Sequence, residues 1–200
     1  MISTYALKQR FQACLRPWVV RLAQTNISAN AVTLSTTAIS CLLGLLLFAS
    51  EQATLFLLLP LWMFLRMALN AIDGMLAREH GQQSRLGAYL NELTDVVSDA
   101  ALYLPFVILP PFGWASVGAV IFLSSLSEFA GALGVSIGTT GRRYDGPMGK
   151  SDRAVVFGVL GLVYGAAGQL PPWAFWIMPT TAVLILINVI CRIRGGLTDS

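Results

Sequence analysis

Charge is scarce in this chain. Charged residues fill 12% of its 200 positions, against roughly 25% in soluble domains. Hydrophobic residues fill 56%, and the mean hydropathy is +0.69. That balance excludes a soluble globular domain and a nucleic-acid binder. It reads as an integral membrane protein, one domain by length. Cysteine is nearly missing as well. Cys14, Cys41 and Cys191 have neither CxxC nor metal-ligand spacing, so they read as isolated apolar thiols. The sole histidine, His80, reads as a solvated loop residue. The first 22 residues lack an apolar run and a small-residue cleavage site, so no cleaved signal peptide is expected.

What is abundant is apolar sequence of membrane-spanning length. Six stretches, at about residues 31–49, 54–78, 84–108, 113–137, 151–168 and 173–192, each come near the roughly 20 residues a bilayer core requires. Ser28-Ala29-Asn30-Ala31-Val32-Thr33 reads as a cap at the start of the first. Ahead of it, residues 4–22 alternate apolar groups (Ala6, Phe11, Leu15, Trp18, Val19, Leu22) with Lys8, Arg10, Arg16 and Arg21. That pattern predicts an amphipathic helix on the membrane surface, its basic groups among anionic headgroups, with Pro17 interrupting it. The expected fold is all-α. It is a polytopic membrane protein with six transmembrane helices plus an N-terminal amphipathic surface helix, one domain over 1–200 with its bundle at 31–192.

Basic residues orient it. The N-terminal helix, the tail and alternate loops hold every lysine and arginine except Arg66. The loops near residues 50–53, 109–112 and 169–172 hold none. The positive-inside rule therefore puts both termini in the cytoplasm.

Polar residues inside such spans are costly and read as functional by default. They concentrate in Asn70 to Asp99, NAIDGMLAREHGQQSRLGAYLNELTDVVSD. Asn70, Asp73 and Ala77 share one helix face. Gly87, Asn91, Asp95 and Asp99 form one stripe of the next helix. Gly81-Gln82-Gln83-Ser84 reads as the turn between them, so the two helices pack antiparallel with their polar stripes facing. Converging side-chain oxygens are what a divalent cation needs. Arg66 lies two turns deeper than Asp73 and reads as a counter-charge or acceptor-site group. Glu128, mid-span, pairs either with Arg66 or with a neighbouring Ser or Tyr. Gly134-x3-Gly138 and Gly161-x3-Gly165 allow close helix packing, within the bundle rather than at a dimer seam.

These residues resemble the CDP-alcohol phosphotransferases, whose pattern is D-x2-D-G-x2-A-R-x8-G-x3-D-x3-D. The sequence reads Asn70-x2-Asp73-Gly74-x2-Ala77-Arg78-x8-Gly87-x3-Asn91-x3-Asp95, with every interval kept. The resemblance extends to the amphipathic helix, the Ser-x-Asn-x-x-Thr start of the first span and the six-span layout. It points to a bacterial inner-membrane branch of the family. It implies an enzyme of phospholipid biosynthesis in the bacterial cytoplasmic membrane, its active site on the cytoplasmic side. The enzyme would transfer a phosphatidyl or related phospho-alcohol group from a CDP-linked lipid donor, CDP-diacylglycerol by family habit, to an acceptor alcohol, releasing CMP. The resemblance also implies metal ligands at Asn70, Asp73, Asn91 and Asp95 for Mg²⁺ or Mn²⁺, and a general base at Asp95. CDP contacts fall on Asp73, Gly74, Ala77, Arg78 and Gly87. Phosphate or acceptor contacts fall on Lys150 and Arg153, and on Arg142 and Arg143. Membrane lipids surround the chain, and the family habit implies a homodimer. A P-loop at Gly149-Lys150-Ser151 is excluded, because Tyr144 stands where its first glycine belongs.

The sequence departs from the pattern at two positions: Asn70 and Asn91 replace the first and third aspartates, the carboxylates that bridge two metals in the family. An amide oxygen ligates but adds no charge. The expectation is a remodelled site: one metal, or two with Glu92 or Asp99 recruited. The alternative function is a degenerate family member that binds nucleotide or lipid without turnover.

Overall fold

A computed structural model describes residues 4–50, 52–137 and 141–198. Those residues form seven α-helices and three short 3₁₀ segments, with no strand among them. The protein is an all-α polytopic membrane protein. Helix α1 spans Thr4–Gln24, α2 Ala29–Ala49, α3 Leu58–Glu79, α4 Arg85–Tyr103, α5 Trp114–Ser136, α6 Lys150–Ala167 and α7 Ile177–Thr198. The 3₁₀ turns Ala53–Leu57 and Pro172–Trp176 lead into α3 and α7, making two continuous 27-residue rods. Four helical stretches are long and apolar enough to cross a bilayer: α2, α5 and these two rods. Helices α4 and α6 carry the charges, Glu92, Asp95 and Asp99 on one and Lys150, Asp152 and Arg153 on the other. Outward faces are apolar: Leu42 and Leu61 are each 66% exposed. Such patches are a liability in water and natural against acyl chains.

Local chemistry fixes the ends. Ser28 Oγ accepts the Ala31 N–H at 3.1 Å and Ser84 Oγ accepts the Gly87 N–H at 2.9 Å, so both caps satisfy donors the helix leaves orphaned. Gly81 turns the chain with φ +66°, a conformation that costs glycine little. Pro17 does not interrupt α1. The carbonyl it frees is that of Ala13, and both residues lie on the exposed face, where water or headgroups can satisfy it. Val19 on the other face is fully buried against Ile72, Met75 and Leu76 of α3. The side chains of Ala6 and Lys8 lie outside the described residues.

The packing pairs are α2 with α4 and α3, α5 with α7, and α3 with α6. Helices α3 and α4 run antiparallel, but they are not among the close-packed pairs. Long polar side chains span the gap between them, and that gap is the site. Its far end is closed by Phe56, Tyr103, Phe106 and Phe157, with Tyr103 and Phe157 stacked at 3.8 Å. Gly161 and Gly165 abut Leu59, Phe56 and Leu57, so this glycine pair is an internal seam. Gly134 is buried in α5, and Gly138 lies outside the described residues.

Helix α2 meets α4 at Gly44, where an added Cβ would overlap the Ala101 carbonyl. That carbonyl has no amide four residues on, because residue 105 is proline. A backbone oxygen cannot give way as a flexible side chain would. Gly44→Val is expected to cost about 1–3 kcal/mol by overpacking, read as a lower unfolding midpoint in mild detergent.

Candidate active site

Two carboxylates organise the gap, each held differently. Asp73 comes from the last turns of α3 and is buried. Its Oδ2 accepts the Thr33 hydroxyl of α2 at 2.7 Å. Asp95 comes from the middle of α4. Its Oδ1 takes Lys150 Nζ at 2.5 Å, Asn70 Nδ2 at 3.0 Å and Arg66 Nη2 at 3.5 Å. Arg66 also donates to the Asp95 main-chain carbonyl at 3.1 Å. The Asp95 Oδ2 has no hydrogen-bond partner among the described residues.

Beside Asp73 opens a cleft of about 900 Å³. Asn30 and Thr33 of α2, Gly74, Ala77 and Arg78 of α3, and Gly87, Asn91 and Glu92 of α4 line it, with Ala132 and Val135 of α5 as an apolar wall. Gly74 lets the Arg78 guanidinium lie against the helix, where a Cβ would stand 3.1 Å from its nitrogens. Gly87 admits the Asn30 side chain, which a Cβ would meet at 2.8 Å. Asn91 makes no hydrogen bond among the described residues and so faces the cleft unspent.

Behind the cleft lies a continuous charged network. Asp99 is buried, with Oδ1 on Arg66 at 2.5 Å and Oδ2 on Arg153 at 3.1 Å. Glu128 takes Arg153 at 2.8 Å, Arg142 at 2.5 Å and Arg192 at 3.7 Å. Arg142 also pairs with Glu92. Arg192 donates to the Ser127 carbonyl, and Ser127 donates to Asn188 at 2.7 Å. In a low-dielectric interior such charges are tolerable only when paired like this.

The expected set divides. Asp73, Gly74, Ala77, Arg78, Gly87 and Asn91 share the cleft, and Arg142 reaches its edge. Asn70, Asp95 and Lys150 meet one layer behind. Both oxygens of Asp99 are committed to arginines, and Glu92 to Arg142. Arg143 bonds Asp145 at 2.8 Å instead of turning to the cleft. Glu128 pairs with neither Arg66 nor a neighbouring Ser or Tyr among the described residues; it holds three other arginines, because α6, α7 and the loop after α5 bring them to its face of α5. His80 is exposed at the end of α3. Two further residues lie outside the motif: Thr33, the partner of Asp73, and Asn188, the partner of Ser127. A lone asparagine in the apolar run 177–192 was the available signal for the second.

An aspartate, amides and a guanidinium around one cleft of a helical membrane bundle, with a second aspartate one layer behind, suit a membrane-embedded transferase that acts on a phosphate-linked substrate. Within that class, residues 26–193 match the family model "CDP-alcohol phosphatidyltransferase". The chain belongs to this family, and it is a transferase of phospholipid biosynthesis. Inner membrane protein YnbA of Escherichia coli is 46% identical over 199 residues, covering 100% of this chain and 98% of that protein. Phosphatidylinositol phosphate synthase of Mycobacteroides abscessus is 26% identical, covering 96% of this chain and 87% of its own. A crystal structure of the Mycobacterium tuberculosis phosphatidylinositol phosphate synthase (PgsA1) with CDP-DAG bound shares the fold, with a TM-score of 0.73 at 20% identity over 92% of this chain and 93% of that one. A second PgsA1 structure, in complex with manganese and citrate, has a TM-score of 0.74.

Proposed function

We propose that the chain transfers a phosphatidyl group from CDP-diacylglycerol to an acceptor alcohol in a bacterial inner membrane, both termini and the cleft facing the cytoplasm. The observation that carries this reading is the shared cleft of Asp73, Gly74, Ala77, Arg78, Gly87 and Asn91 beside Asp95. The cytidine lies against Gly74, Ala77 and Gly87, and the Arg78 fork meets the pyrophosphate. The apolar wall of Ala132 and Val135 gives the acyl chains a way to lipid. The cytoplasmic facing rests on the basic loops. The inner-membrane setting and the CDP-diacylglycerol donor have their parallels in YnbA and PgsA1.

Does a metal fit? Among the described residues no cluster of three or more His, Cys, Asp or Glu is set to hold one. A mixed oxygen set is present: the Asp73 carboxylate, which is hydrogen-bonded to Thr33, and the unspent Asn91 amide, both on the cleft. That set fits one hard cation, Mg²⁺ or Mn²⁺. When bound, it neutralises charge that builds on the pyrophosphate as CMP departs. The chain's own residues do the rest. Asp95 accepts the proton of the acceptor hydroxyl through its open Oδ2. The acceptor oxygen bonds to the phosphatidyl phosphorus, and the bond from that phosphorus to the CMP oxygen breaks.

The test is CMP release by purified protein given CDP-diacylglycerol, Mn²⁺ or Mg²⁺, and a panel of acceptors with total-lipid extract. Release is expected, with loss under EDTA and recovery on adding metal. Intact CDP binding without release under any metal or acceptor would instead favour nucleotide binding without turnover.

A further inference from the structure

The environment of Asp95 is set for an ammonium. Its Oδ1 already takes three donors, two of them cationic. Its nearest polar neighbour on α3, Asn70, turns its amide NH₂ toward it at 3.0 Å. A carboxylate at position 70 would stand against Asp95 and need a cation between them, since two like charges at that distance do not both ionise unaided. Asparagine removes that need by donating a hydrogen bond. Lys150 supplies the positive charge from the first position of α6, which Gly149 and Asp152 cap with a 2.9 Å bond.

The substitutes that would complete a second ion are spent. Asp99 is buried with both oxygens on guanidiniums, and Glu92 is paired with Arg142. Arg66, Arg142, Lys150, Arg153 and Arg192 already give this network five cations on four carboxylates, Glu92, Asp95, Asp99 and Glu128. Another divalent ion would enter a site that is already cationic. On the other side, Asp73 and Asn91 face open cleft with no cation paired to either among the described residues.

We propose that each chain binds one divalent cation, at Asp73 and Asn91, and that the Lys150 ammonium holds the place of a second at Asp95. This rests on the metal-assisted transfer proposed above. Lys150 is then a fixed positioning charge for Asp95, not a hand for an acceptor phosphate.

The experiment counts Mn²⁺ on the full chain in detergent micelles, by equilibrium dialysis and by low-temperature EPR. The wild type is expected to bind one ion per chain with no spin-coupled signal. Asn70→Asp/Asn91→Asp with Lys150 kept is expected to bind a second ion at least 10-fold more weakly than the first. Adding Lys150→Gln is expected to bring the two sites within a few-fold and to produce a spin-coupled pair. Two tight ions in the wild type would overturn the proposal and leave the transfer reading standing. So would two equal ions in the double variant with Lys150 intact. No bound ion in the wild type would overturn the metal part of the transfer reading and this inference with it. Size-exclusion profiles matching the wild type certify that each variant is folded.

Discussion

The Asp95→Asn variant is expected to release CMP at least about 100-fold more slowly than the wild type, within the roughly 10²–10⁴ that a positioned general base contributes. The substitution removes the basic oxygen and little else. Arg66 keeps its 2.5 Å bond to Asp99 and its 3.1 Å bond to the main-chain carbonyl of residue 95, so α3 and α4 stay joined. Lys150 loses its counter-ion, but its side chain is 28% exposed and can be solvated. Donor affinity is therefore expected to hold within a few-fold, because the cleft residues Gly74, Ala77, Arg78 and Gly87 are untouched. Steady-state CMP release together with a CDP-binding titration checks both halves. A rate within tenfold of wild type would remove Asp95 from the role of base. A rate loss matched by an equal loss of CDP binding would make its contribution one of site assembly.

Helix positions were legible in the sequence to within a few residues, because long apolar runs mark them and the Ser28 cap is local chemistry; of the six spans expected, four helical stretches are long and apolar enough to cross a bilayer. The two polar stripes were legible for the same reason, since helical periodicity assigns Asn70 and Asp73 to one face and Asn91, Asp95 and Asp99 to another. What periodicity cannot assign is which face meets which. Arg66 and Glu128 both sit mid-span with opposite charge, and a pairing between them was a reasonable expectation. The fold instead sets Arg66 against α4 and Glu128 against Arg153 of α6, Arg142 of the loop and Arg192 of α7. Those partners are 14 to 64 residues away from Glu128 in the chain, and only the rotation of α5 within the bundle selects them. Lys150 was legible as a basic group at the start of α6 and read as a phosphate contact. Its commitment to Asp95 depends on α6 packing along α3, which no local pattern encodes. Asp99 continued the α4 stripe perfectly well, yet its depth places it among arginines and out of the cleft.

Arg153→Met is expected to be the most damaging single change to the bundle, at about 3–5 kcal/mol, the range for removing one partner of a buried ion pair. Its side chain is fully buried, and among the described residues it alone joins Asp99 to Glu128. Methionine fills much of the volume, so the loss is one of charge. Among the described residues Asp99 keeps Arg66, and Glu128 keeps Arg142 and the more distant Arg192. Because the cost arises from stranded carboxylates, neutralising them in the same chain (Arg153→Met with Asp99→Asn and Glu128→Gln) is expected to recover part of it. Unfolding in mixed micelles titrated with denaturing detergent measures both. Glu79→Ala is the control: its pair with Arg16, at 3.0 Å, falls between the two Arg153 distances of 2.8 and 3.1 Å but is 39% and 58% exposed, and it is expected to shift stability by less than about 1 kcal/mol. An Arg153 variant no worse than that control would mean the buried pairs contribute no net stability here. A triple variant no better than the single one would trace the damage to lost packing along α6. Recovery of the fold in the triple variant would assign the network's cost to charge balance, the same balance that makes Lys150 the cation at Asp95.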